Sequence, residues 1–141
     1  MVSKLLIAWC LLALTVTIHA AGLSAMLRHV LPRMADRRFW PMTGLLVRVA
    51  WCLVLLHLAE ISVWALFYWW QDCLPDAESS FYFSGVTYTT VGYGDLVLPL
   101  EWRLFGPVEG LTGILMCGLS TGFFFAVVTK LFVAQSTAAQ D

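Results

Sequence analysis

An all-α membrane protein is the fold class this sequence predicts, and three observations carry the prediction. Of its 141 residues 60% are hydrophobic and only 12% charged, about half the charged share of an ordinary soluble domain. Three apolar runs are each long enough to cross a bilayer as a helix, and the segments joining them differ sharply in charge. A net charge of -1 gives no basic field for nucleic acid, so no nucleic-acid partner is expected; the lipid bilayer is the expected environment.

The first span lies within residues 1–28. Leu5 to Leu27 is a stretch of about 23 residues without a formal charge, sufficient for about 30 Å of hydrocarbon. The second span runs over 44–70, with Arg48 near its start and His57 and Glu60 near its middle. The third runs over 106–133, with Glu109 near one end and Lys130 near the other. Between them, residues 72–105 are too polar and interrupted to span. Within that segment 77–88 reads as a short helix, with Asp76 as its N-cap, Pro75 just before it, and Ser79 and Ser80 in its first turns.

Orientation follows from the arginines. The connection at 29–43, with Arg28 at its edge, carries Arg33, Arg37 and Arg38 against the single acid Asp36. The connection after the second span carries Asp72, Asp76, Glu78, Asp95 and Glu101 against Arg103 alone. By the positive-inside rule the basic loop is cytoplasmic. The N-terminus is then outside, and the tail at 134–141 is cytoplasmic. Lys4, the apolar run and Ala20-Ala21-Gly22 have the outline of a signal peptide. Cleavage there, however, would translocate the arginine cluster, so the first helix reads as uncleaved. The expected location is a plasma membrane, multi-pass, of the bacterial inner-membrane type.

Between the short helix and the third span lies Thr89-Thr90-Val91-Gly92-Tyr93-Gly94-Asp95. Gly92 and Gly94 are spaced to supply backbone conformations with positive φ, which glycine reaches without steric cost. Such conformations let successive carbonyl oxygens point toward one axis. This string resembles the selectivity-filter signature of the potassium-channel pore-domain superfamily. The resemblance covers residues 44–133 as a two-helix pore unit: outer helix 44–70, re-entrant pore helix 77–88, selectivity-filter loop 89–95 and inner helix 106–133. Residues 1–28 are an additional N-terminal transmembrane helix whose role is open.

The resemblance implies that K+ is the transported ion, coordinated by the carbonyls of Thr90, Val91, Gly92 and Tyr93 and by the Thr90 hydroxyl, with Gly94 completing the string. Thr89, Asp95 and Tyr82 are implied as filter support, Tyr82 falling at the spacing from which a pore-helix aromatic hydrogen-bonds the aspartate. Where some members carry a pore-helix glutamate, this chain has Val86. One string per chain implies a homotetramer. No cofactor other than K+ is expected, and any separate regulatory partner is unknown.

Gly113, Gly118 and Gly122 punctuate the third span. Gly113 and Gly118 are candidate gating positions, Gly113 the stronger as a hinge, set against close helix packing. Phe123, Phe124 and Phe125 suit a hydrophobic constriction or lipid contact. Glu60 is a carboxylate near the bilayer centre, with His57 one turn earlier on its face and His19, Thr15 and Thr17 near mid-depth in the first helix. A hydrogen-bonded clamp is favoured there over a proton-sensitive contact. Trp64, Tyr68, Trp69 and Trp70 read as an interfacial belt, joined by Trp102. The four cysteines have no metal-site spacing, and only Cys73 lies in a polar segment.

The function expected is a potassium-selective channel, not an enzyme. The alternative is a non-conducting or accessory membrane subunit with a channel-like fold. A membrane enzyme built on Glu60, His57 and His19 lacks a nucleophile with its base and orienting group.

Overall fold

The computed structural model describes residues 2–30 and 39–138. The chain is all-α, with α1 at Val2–Val30, α2 at Phe39–Trp70, α3 at Ala77–Tyr88 and α4 at Phe105–Ala138. Three of these contain apolar spans of 29 residues, Val2–Val30, Met42–Trp70 and Phe105–Val133. Each is about 44 Å long at 1.5 Å per residue, more than the roughly 30 Å of hydrocarbon it has to cross. The chain is a multi-pass membrane protein. Arg33, Asp36, Arg37 and Arg38 of the expected basic loop lie outside the described residues, as do 139–141 of the expected tail.

All three long helices run further than the apolar pattern suggested, α1 to Val30. α2 begins at Phe39 rather than 44, and α4 continues to Ala138 rather than ending at 133. Pro107 is accommodated because it sits in the first turn of α4, where no intrahelical N–H bond is lost. α1 packs against α2 and α4, and α3 is held between α2 and α4. At Gly22, α1 approaches α2 so closely that an added Cβ would meet the Leu56 side chain at 2.7 Å.

Among the described residues three apolar clusters fill the interior. At the end of the bundle bearing residues 71–104, Ala8, Trp64, Phe67, Tyr68, Leu74 and Phe105 pack together, with Phe67 stacked on Phe105 at 5.2 Å between ring centroids. Lys4 reaches the same end, 3.1 Å from a Glu101 carboxylate oxygen and 4.1 Å above the Trp102 ring. Ile61, Tyr88 and Met116 form a small middle cluster. Val30, Leu45, Val49, Leu53, Val127 and Leu131 close the far end.

The aromatic belt is corrected here. Trp69 and Trp70 are exposed, but Trp64 and Tyr68 are fully buried core residues, because their face of α2 turns toward α1, α3 and α4. Phe123 and Phe124 pack against the far-end cluster and Phe125 alone is exposed. Cys73 is buried despite its polar neighbours, and loss of hydration pushes its thiol up to about 11.

Candidate functional site

The start of α3 is fixed by its cap. Asp76 Oδ1 accepts from the Ser79 backbone N–H at 2.7 Å, and Ser80 Oγ donates to the Asp76 carbonyl at 2.9 Å. That backbone bond holds the exposed Asp76 carboxyl below the usual carboxylate range. At the other end the helix does not simply fray. Thr89 N–H donates to Gly85 O, Thr90 N–H to Thr87 O, and Val91 N–H to Val86 O at 3.0 Å, with Gly92 N–H on the same Val86 oxygen at 3.3 Å. These bonds tie the first residues of the glycine string to the last turn of α3.

Beyond them the backbone leaves helical geometry. Thr90 has φ +62°, Gly92 +56° and Gly94 +78°. Every second residue of the string is thus in the left-handed region, and the intervening Val91 and Tyr93 are not. Alternating handedness turns successive peptide carbonyls toward one side instead of opposite sides. A side chain is tolerated at Thr90 at a steric cost, whereas the two glycines incur none. Residues 89–95 are all exposed in the single chain. Val91 and Tyr93 are 52% and 71% exposed, so the described residues of their own chain cover them only in part.

Asp95 ends the string and is tied back to α3. The Tyr82 hydroxyl donates to Asp95 Oδ2 at 2.7 Å, and the Leu96 N–H reaches Oδ1 at 3.1 Å. The Tyr82 bond is the main reason the Asp95 carboxyl lies below the usual range, and the same bond pushes the Tyr82 phenol up.

Tyr88, the last residue of α3, is gripped at both its backbone and its side chain. A Cβ added to Gly113 of α4 would collide with the Tyr88 carbonyl, and one at Gly110 would lie 3.5 Å from the Thr87 oxygen. Gly113 is therefore a close-packing point between α4 and the base of the string, while Gly118 and Gly122 meet nothing within 4 Å. The Tyr88 hydroxyl donates to Glu60. Glu60 is fully buried, with His19 Nδ1 at 2.7 Å from one carboxylate oxygen and His57 Nδ1 at 3.5 Å from the other. His57 Nδ1 also lies 3.1 Å from the Tyr88 hydroxyl, and His19 Nε2 lies 3.4 Å from Ser120 Oγ. One polar cluster thus joins all four helices. Thr15 and Thr17 do not belong to it, since each hydroxyl bonds a carbonyl of its own helix.

A second buried cluster escaped the sequence reading. Glu109 of α4 accepts from the Tyr68 hydroxyl at 2.7 Å and meets Ser84 Oγ at 2.5 Å, and Ser84 Oγ is 2.9 Å from the Ile61 carbonyl. It joins α2, α3 and α4, and on α2 it reaches from Ile61, the residue after Glu60, to Tyr68. The signal was present as a carboxylate inside an apolar run, near one end of the span.

A family model described as "Ion channel" matches residues 41–130, more than half of the chain, including the glycine string and both buried clusters except His19 of α1. Comparison with curated proteins and with solved structures returned no match. The family is a non-catalytic one. With three membrane-spanning helices and a family match that runs from α2 to α4, this chain belongs to the ion-channel family.

Proposed function

We propose that the protein is a potassium-selective channel that conducts K+ passively through a homotetrameric pore. The observation that carries this reading is the alternation of backbone handedness at Thr90, Gly92 and Gly94 within the string Thr89 to Asp95. A potassium ion loses its water only if oxygens replace it at nearly equal free energy. Rings of carbonyls from Thr90, Val91, Gly92 and Tyr93, with the Thr90 hydroxyl below them, supply that replacement. The C-terminal end of α3 places its partial negative charge beside the string, which favours a cation.

One chain supplies one string, so a closed ring requires four chains about a rotation axis. The exposure of Val91 and Tyr93 supports this, because a neighbouring subunit gives those side chains the packing their own chain lacks. Irregular backbone at membrane depth is tolerated only inside protein or along a water-filled path, and the tetramer meets both conditions. In this reading α2 is the outer helix, α3 the re-entrant pore helix, 89–95 the selectivity filter and α4 the inner helix; α1 is additional to the pore unit. The N-terminus and the filter lie outside and the C-terminus in the cytoplasm, as the arginine distribution indicates. Glu60 and Gly113 are gating candidates through their shared hold on Tyr88, and Gly118 through its place lower in α4.

The test is potassium flux into liposomes carrying the purified protein, with sodium as comparison and Gly92→Ala as control. Flux of potassium over sodium, abolished by Gly92→Ala, is the expected result. Absence of flux from a protein verified to be tetrameric favours the accessory, non-conducting subunit instead.

A further inference from the structure

We propose that His19, His57 and Glu60 form a binding site for one divalent transition-metal ion of the zinc class, held between α1 and α2. One donor atom from each residue can be chosen so that all three lie within 4.8 Å of one another. The chain has three histidines, and two of them direct Nδ1 at opposite oxygens of a single carboxylate. Two imidazoles and a carboxylate are a donor set that zinc, cobalt and nickel take, and the two imidazoles disfavour magnesium and calcium, which prefer all-oxygen sites.

The two histidine–carboxylate distances fit an ion with a small adjustment, while the full donor set, spread over as much as 4.8 Å, draws together around it. Zinc bonds of about 2.0–2.2 Å to nitrogen and oxygen separate tetrahedral neighbours by roughly 3.3–3.5 Å. His57 Nδ1 and Glu60 already stand 3.5 Å apart, whereas the 2.7 Å between His19 Nδ1 and Glu60 is a hydrogen bond that opens by several tenths of an ångström when an ion replaces its proton. The outer shell is in place as well. Ser120 Oγ, 3.4 Å from His19 Nε2, orients that ring from its far nitrogen, and the Tyr88 hydroxyl braces Glu60. Tyr88 also stands 3.1 Å from His57 Nδ1, close enough to offer the fourth position.

Electrostatics favour an occupant. Glu60 is fully buried in an apolar bundle, and among the described residues no lysine or arginine pairs with it. A carboxylate so placed requires a cation or a proton. His57 keeps 19% of its side chain exposed, which leaves the cluster one open side for entry.

Metal binding itself tests this, without reliance on potassium conduction. The full-length protein in nanodiscs, stripped by a chelator, is titrated with Co2+ and then Zn2+, following the visible absorption of low-coordinate cobalt. One ion per chain is expected, with cobalt displaced by zinc. Glu60→Gln and His57→Ala each weaken binding at least about tenfold, and His29→Ala leaves it unchanged. His57→Gln, at the partly exposed ligand, serves where another variant loses its oligomeric elution position. No saturable cobalt spectrum in the wild type, or binding unaltered by the His57 and Glu60 substitutions, overturns the site and leaves the cluster a hydrogen-bonded clamp.

Discussion

The Tyr82 hydroxyl sits 2.7 Å from Asp95 Oδ2 and so fastens the middle of α3 to the last residue of the glycine string. This bond has a pH signature. A carboxylate whose pKa is depressed in the folded state adds stability at neutral pH, and that stability is lost as pH falls through the lowered value. Tyr82→Phe removes the chief cause of the depression and returns Asp95 toward the ordinary value of about 3.9. The variant therefore lacks this increment at neutral pH, and its deficit relative to the wild type narrows as pH falls below the ordinary carboxylate range. Thermal melts between about pH 3 and pH 6 check this, and superimposable profiles would contradict it.

At Gly113 the obstacle to any side chain is backbone, the Tyr88 carbonyl, which cannot rotate away as a side chain can. Gly113→Ala is expected to destabilise the protein by about 1–3 kcal/mol through overpacking, offset in part by the roughly 1 kcal/mol that alanine adds to a helix. Gly118→Ala and Gly122→Ala meet no such obstacle within the chain and gain the helical term. Comparing melting temperatures of the three variants separates a packing role at Gly113 from a pure hinge. A hinge without packing predicts lost current in Gly113→Ala at unchanged stability.

Proton counting at Glu109 gives a third prediction. Ser84 has one hydroxyl proton and two acceptors near it, the Ile61 carbonyl and Glu109. Glutamine at 109 satisfies every group, accepting from Tyr68 through its oxygen and donating to Ser84 through its nitrogen while Ser84 serves Ile61. Glu109→Gln should stay within about 1 kcal/mol of the wild type, whereas Glu109→Leu leaves Ser84 bonded to Ile61 but strands the buried Tyr68 hydroxyl, at a cost of about 1–3 kcal/mol. Denaturation of the two variants in the same detergent decides the point; equal losses would refute the hydrogen-bond assignment.

The three spans were legible because a run of twenty or more apolar residues has few alternatives to a membrane helix. So was the start of α3, where Asp76 is a capping residue in the right place. The pairing of His57 with Glu60 follows from helical spacing alone. What could not be read is which residues of other helices come to meet them. α1, α2 and α4 are apolar on all sides, so no stripe marks an inward face, and Trp64 and Tyr68 look no different in sequence from Trp69 and Trp70. Tyr88, Ser120 and Glu109 joined their clusters through tertiary packing that leaves no local pattern. Thr90 adopting a positive φ was equally hidden, since threonine has no intrinsic preference for that region.

Selectivity is the centre of the account, and the reversal potential measures it most directly. The purified protein in a planar bilayer, with opposed potassium and sodium gradients across it, should reverse near the potassium equilibrium value. Gly94→Ala, which places a side chain at φ +78°, should abolish the current or bring the reversal toward zero. A wild-type reversal at zero under opposed potassium and sodium gradients would contradict potassium selection by the Thr90 to Gly94 backbone.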